Sequence, residues 1–336
     1  MRSSIKSTPI VRIGILVFPG CLRSGAVVPQ DVFAIANTLM LARPVSQRRQ
    51  FEAVWLSARG HAEESLNGLR LDTEPLAGQQ IDALMVPGIA HQTTHDIGER
   101  IASLLPEQQA LRDFSALHLP LVFSCSSTCL MAQTGLLNGR RSTTSWWLSA
   151  HFRQQYPDVI LDAEQLIVQD GNLVSAGGVM SYIDLSLWLV AHFGGEDVRQ
   201  LCAKVLVVDA NRDSQAPFVA SAMIQSQGHA IIERARRWLN AKLDQPWAMA
   251  ELAAHCHTSP RTLLRRFQES LGKSPVQYVQ QLRVERAKAL LETTRLSLDD
   301  ITTRCGYEDV SSLSKIFKRW AQVTPNEYRR RFGLRS

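Results

Sequence analysis

The sequence predicts an α/β domain, a flavodoxin-like parallel sheet sandwiched between helices, followed by an all-α domain with two helix-turn-helix motifs. Three observations carry this. Short apolar runs alternate with amphipathic stretches through the first two hundred of the 336 residues, as strands joined by crossover helices do. Beyond residue 229 the apolar period is helical and no strand-like run remains. Charge divides at the same place: residues 229–336 hold 20 Lys+Arg against 11 Asp+Glu, a surplus of nine, while residues 1–228 hold 17 against 20.

In chain order, 11–18, 51–57, 82–88 and 119–124 are buried strands, with amphipathic stretches such as 98–117 between them. Residues 164–178 read as a hairpin with Asp170-Gly171 in the turn. A helix over 179–193 and the apolar run 201–208 follow. The expected boundaries are a first domain over 1–212, a linker over 213–228 and a second domain over 229–336. Within the second, helices are expected over 230–243, 247–254, 260–270, 275–292, 298–304 and 310–321.

Composition excludes several classes. Hydrophobic content of 45% and charged content of 20% suit a folded chain with two cores. No apolar run reaches the roughly 18 residues of a membrane span, and the N-terminus reads as a polar tail and a first strand, not a signal peptide. Cys21, Cys125, Cys129, Cys202, Cys256 and Cys305 form no CxxC pair. That argues against a disulfide framework and for a cytoplasmic protein. Cys125 and Cys129 read as packing residues, and His91 and His95 as loop surface. No metal or cofactor is expected.

In 248–272 a short helix carrying Leu252 and Ala253 is followed by a turn. Ser259 then caps, and Pro260 begins, a second helix. Leu263 and Phe267 face its inside; Arg261, Leu264 and Arg265 project outward. Residues 296–320 repeat the plan, with Ile301, Leu313 and Phe317 inside and Ser311, Ser314 and Lys315 outside. Between them 274–294 reads as one helix, with Val279, Leu282, Ala287 and Leu290 along one side. It would place the two heads in successive major-groove segments, roughly 34 Å apart.

Residues 247–332 resemble the DNA-binding domain of the AraC/XylS family of transcription regulators, through "SPRTLLRRFQESLGKSP", "YVQQLRVERAKALL", "CGYEDVSSLSKIFKRW" and "TPNEYRRRF". The resemblance implies that Arg261, Leu264 and Arg265 read bases from the first head, and Ser311, Ser314 and Lys315 from the second. Leu264 stands where a polar residue is common, which suggests contact with a thymine methyl.

Residues 11–209 resemble the PfpI type of class I glutamine amidotransferase-like domain, through "ILVFPG", "DVFAIAN", "DALMVPG", "CSSTCLMAQTGLLNGRRSTTSWW" and "VSAGGVMSYIDLSLWLV". Cys125 stands at the strand-to-helix elbow where that family carries its nucleophile. An activated thiol needs a base. The position the family gives to histidine holds Ser145, and Ser127 replaces the elbow glycine. Asp31 keeps the acidic position of the first helix. The expectation is a catalytically degenerate site at the C-terminal ends of the strands that binds an effector, walled by Asp31, Ile89, Cys125, Ser126, Ser145 and Trp146. Trp146 and Trp147 read either as core, the stronger reading, or as a cation–π surface with Asp31 as counter-charge.

The function expected is therefore a transcription regulator, an activator, and not an enzyme. Its partners would be a double-stranded DNA operator, a small-molecule effector, a second copy of the chain and RNA polymerase, with no membrane. Two rivals remain: an amidotransferase-like cysteine hydrolase with an appended DNA-binding module, and an architectural DNA binder without ligand.

Overall fold

The computed structural model describes residues 8–60, 63–66, 69–209, 212–219 and 230–334. The chain divides into two compact units, Met1–Gln215 and Ala216–Ser336.

The first unit is a seven-stranded sheet. Its strands are β1 (Ile10–Leu16), β2 (Gln50–Ser57), β3 (Glu74–Pro75), β4 (Ala83–Val86), β5 (Leu121–Ser124), β6 (Ile167–Asp170) and β7 (Leu173–Ala176). Their spatial order is β6-β7-β5-β4-β1-β2-β3. All pairs are parallel except β6 with β7. Strip the two edge strands and the order is that of a doubly wound flavodoxin-like sheet, with its switch point between β1 and β4.

Both faces are covered. Ile13, Ile15, Met85, Val122 and Val174 pack under α1 (Arg23–Met40) and two later helices through Val32, Phe33, Leu185, Leu189 and Cys202. Leu16, Leu56, Leu84, Val86, Leu121 and Phe123 face the other way, toward α2 (Thr94–Ser103), α3 (Leu105–Ser115), α4 (Ser127–Gln133) and α5 (Ser149–Gln155). Neighbours along a strand alternate faces, so strands buried on both sides read as continuous apolar runs. The helices that close the first face are α6 (Tyr182–Gly194) and α7 (Glu196–Leu206).

Several sequence expectations shift. The stretch 98–117 is two helices, because Leu104 leaves helical geometry (φ −96°, ψ 42°) and Pro106 starts the second. The hairpin turn is Gly171-Asn172: Asp170 still pairs with Leu173, and Gly171 supplies the positive φ of 61°. Residues 179–181 form a separate 3-10 turn before α6. The run 201–208 lies mostly in α7, which stops at Val207 in left-handed geometry. Ser214 and Gln215, in the stretch expected to be linker, hydrogen-bond within the first unit. Ala216–Phe218 forms a 3-10 turn of the second unit, and residues 220–229 of the expected linker lie outside the described residues.

The second unit is helical: α8 (Ala230–Ala241), α9 (Met249–His255), α10 (Pro260–Leu271), α11 (Pro275–Thr293), α12 (Leu298–Arg304), α13 (Val310–Ala321) and α14 (Pro325–Phe332). It has two cores strung on α11. Tyr278 and Val279 join Ile232, Leu239, Leu252, Leu263 and Phe267. Val284, Ala287 and Leu291 join Ile301, Leu313, Phe317 and Tyr328. The buried line of α11 thus includes Val284 and Leu291, and Leu282 and Leu290 are only half-buried at its margin. Helix α14 was not foreseen. Its polar, arginine-rich sequence buries Tyr328, and a capping box between Thr324 and Glu327 starts it.

Candidate functional site

Cys125 sits between β5 and α4 with φ at +58°, a left-handed conformation that a side chain adopts only when its surroundings hold it there. Its amide donates to the Ala176 carbonyl of β7 at 2.8 Å. The two serines that follow do different work. Ser126 Oγ bridges both backbone groups of Ile89, at 2.8 Å each. Ser127 Oγ accepts from the Ser124 amide at 3.0 Å and lies within donating distance of the Ser124 and Val86 carbonyls. A glycine could do neither, so Ser127 makes the elbow a polar joint between β4 and β5.

The loops after β1 and β4 close over the switch point. Cys21 and Ile89 form a β-bridge, the Leu22 amide donates to the Gly88 carbonyl at 2.7 Å, and the Ala90 amide donates to the Gly20 carbonyl at 2.8 Å. Tyr182 packs directly on the first turn of α1: a side-chain carbon at Gly25 would come within 2.7 Å of its ring.

From the other side come Thr144, Ser145 and Trp146. Thr144 Oγ1 donates to the Cys125 carbonyl at 2.9 Å, and the Gly178 amide donates to Ser145 Oγ at 3.1 Å. The Ser145 hydroxyl also hydrogen-bonds the Cys125 thiol. Burial pushes the thiol pKa up, and the hydrogen bonds from Ser145 and Ser126 only partly oppose that. Burial likewise pushes Cys129 up to about 12. Burial holds His151 below its ordinary value, so it favours the neutral ring.

Four of the six expected wall residues meet here. Ile89, Cys125, Ser126 and Ser145 are all fully buried, and half-buried Trp146 adjoins them, its ring edge-on to Trp147 at 5.3 Å. Asp31 is different: it is exposed on α1, whereas these four are enclosed. His91 Nδ1 lies 2.8 Å from the Ile89 carbonyl, and the His95 side chain lies outside the described residues. Among the described residues no three His, Cys, Asp or Glu side chains group as metal ligands.

Sequence reasoning missed Gln215. Its Oε1 accepts from the Trp146 amide at 3.1 Å. Its Nε2 faces Thr143 Oγ1 and the carbonyls of Thr144, Ala163 and Gln165 at 2.9–3.2 Å. The amide lies flat across Gly177, where any side-chain carbon would fall 2.0 Å from it. One glutamine in an aperiodic stretch carries no signal of this; only the adjacent Gly177-Gly178 hints that something approaches the backbone.

In the second unit each head presents one face. Ser259 caps α10 by accepting from the Thr262 amide at 3.2 Å, and Asp309 caps α13 by accepting from the Ser312 amide at 2.8 Å. Leu263 and Phe267 are fully buried, as are Leu313 and Phe317. Arg261, Leu264 and Arg265 are exposed on α10; Ser311 and Lys315 are exposed and Ser314 half-exposed on α13. Arg265 lies 3.7 Å from Glu269, one turn on. On the same helix, Leu264 is 42% exposed.

A helix-turn-helix domain model matches residues 252–331. The HTH-type transcriptional regulator ArgR of Pseudomonas aeruginosa is 26% identical over 323 residues, 95% of this chain and 92% of that protein. The HTH-type transcriptional regulator GlxA of Rhizobium meliloti is 26% identical over 338 residues, 99% of this chain and all of that protein. The HTH-type transcriptional activator RhaR of Escherichia coli is 30% identical over 112 residues, 33% of this chain and 40% of that protein. Among solved structures, an AraC family regulator from Pseudomonas putida matches at 20% identity and a TM-score of 0.47, over 58% of this chain and 99% of that one. With two capped, basic helix-turn-helix heads on a shared helix and HTH-type transcriptional regulators similar to it along nearly the whole chain, the protein is a DNA-binding transcription regulator.

Proposed function

We propose that the first unit is a sensor that binds a small molecule without turning it over, and that the second reads an operator and activates transcription alongside RNA polymerase. The protein would act as a cytoplasmic homodimer paired through its α/β units. Bases are read by Arg261, Leu264 and Arg265 from one head and by Ser311, Ser314 and Lys315 from the other.

The observation that carries the sensor reading is the state of Cys125. A nucleophilic thiol needs a lowered pKa and a base within hydrogen-bond reach. Cys125 has the reverse: full burial, a raised pKa and a serine as partner. The remaining asset is a densely hydrogen-bonded seam from Ile89 through Ser126 to Gln215, whose rim at Trp146 is accessible. A ligand that opened or gripped that rim would have to rearrange the seam. A melting screen of the full chain against metabolites tests this, because a ligand specific to the folded state raises its stability. Raised melting that Trp146→Ala abolishes supports it; a ligand whose effect ignores Trp146 and Ser145 overturns the site.

The rival hydrolase has one observation on its side, the left-handed elbow of Cys125. Turnover of amides or esters that Cys125→Ser abolishes would establish it.

A further inference from the structure

The first helix-turn-helix head carries a second basic feature that the recognition face does not use. Arg234 and Arg237 of α8 and His255 and His257 around the end of α9 line an open cavity of about 390 Å³. Arg237, His255 and His257 are exposed and Arg234 is half-buried. The acid of the same helix, Glu233, is paired with Arg236 at 2.9 Å. The His255 ring leans on Trp238, 6.0 Å between centroids, and Lys242 Nζ lies 4.5 Å from that indole, which brings a third cation of this helical segment to the same side. His257 is held at φ +52°, in the turn two residues before the cap of α10. Four N–H-bearing side chains round one hollow make a site for an oxyanion.

We propose that this cavity is a phosphate site, and that a phosphodiester of the bound duplex supplies the oxyanion. The argument is positional. In a helix-turn-helix the second helix enters the major groove by its N-terminal end, while the first crosses the flanking backbone. The cavity sits at the end of the first helix and in the turn, beside the capped start of α10. This inference rests on the DNA-binding reading; its role would be to anchor the head, and it carries no sequence preference.

The test uses the full chain with two duplexes: one selected by the parent from a random library, and one of unselected sequence. Arg237→Gln and His257→Asn both change exposed side chains, and asparagine tolerates the left-handed turn. Each variant is expected to weaken both duplexes by the same factor, on the order of tenfold for Arg237→Gln. The slope of log affinity against log salt should become shallower by about 1 in that variant. Unchanged slope and affinity in both variants, with the parent binding normally, overturn the proposal. A variant that weakens only the selected duplex overturns it too, since the cavity would then be reading bases. A parent that binds neither duplex instead removes the DNA-binding reading itself. Inorganic phosphate gives the remaining arm: melting raised by millimolar phosphate in the parent but not in Arg237→Gln, with DNA affinity equal in both, would assign the cavity to a free anion and overturn the duplex as its source.

Discussion

Cys125 shows how one residue's surroundings decide its chemistry. Its thiol is enclosed and its pKa raised, so at neutral pH it is thiolate less often than a free cysteine, whose pKa is ~8.5. Site-resolved iodoacetamide labelling should therefore be slow at pH 7 and begin to climb only above that value; rapid labelling at pH 7 would contradict the assignment. The same enclosure revises the repair that the sequence suggests. Ser145 marks the missing histidine, but it is fully buried and engaged with Cys125 and Gly178. Ser145→His is expected to overpack the seam and cost about 1–3 kcal/mol in denaturant unfolding, with no gain in thiol reactivity. A variant as stable as the parent whose thiol labels faster would show the pocket to be roomier than described. Gln215→Ala removes the partner of the Trp146 amide and one donor to the Thr144 carbonyl, and is expected to cost about 1–3 kcal/mol. Unchanged unfolding of that variant would deny Gln215 its structural part. The elbow was legible in the sequence because a strand, a cysteine and a helix in succession leave a local pattern. The position of Asp31 and the grip of Gln215 were not, since both depend on which way a side chain points after the fold closes.

At the scale of elements, α10 and α13 were the easiest to foresee, since cap and apolar spacing agree in both, with a proline at the start of α10. Where the signal was thin, the sequence misled for identifiable reasons. Leu104 breaks 98–117 because Pro106 follows it, yet the apolar period runs on through both pieces. Helix α14 has little apolar content and declares itself by its capping box and the proline at its start. The anchors should be sensitive: Phe317→Ala empties a fully buried site and is expected to cost about 3–5 kcal/mol, read by the midpoint of unfolding. The exposed face should respond differently. Arg265→Ala is expected to leave the fold intact, cost about 1–3 kcal/mol at the selected duplex, and relax base preference at one position. Its ion pair with Glu269 is exposed and i,i+4, so losing it contributes only about 0.3–0.5 kcal/mol to stability. If Arg265→Ala discriminates among sequences as the parent does, the register assigned to α10 is wrong by at least one position.

At the scale of the whole molecule, each unit closes its own cores, and the described residues of the first expose apolar side chains near the end of α7, among other places. Leu201 and Val205 lie four apart on α7, and are 46% and 57% exposed. Val207, just past the end of the helix, is 90% exposed. The inward face of α7 is already satisfied by Val198, Cys202 and Ala203, so these residues are surplus to the fold. Contiguous exposed apolar surface can mark an interaction site, and Leu201 and Val205 are the candidate pair. A second copy of the chain is the occupant that suits a regulator with two reading heads per chain. The parent is therefore expected to be a dimer by light scattering at tens of micromolar. The double variant Leu201→Lys with Val205→Lys should be monomeric, yet melt as the parent's monomeric state does, because neither side chain supports the core. The consequence should be visible on DNA. A duplex with one site should bind both proteins alike, whereas a duplex with two sites should lose avidity for the variant, on the order of 10²-fold. A parent that scatters as a monomer, with and without DNA, removes the dimer. A parent that stays dimeric after both substitutions keeps the dimer and moves its interface off α7.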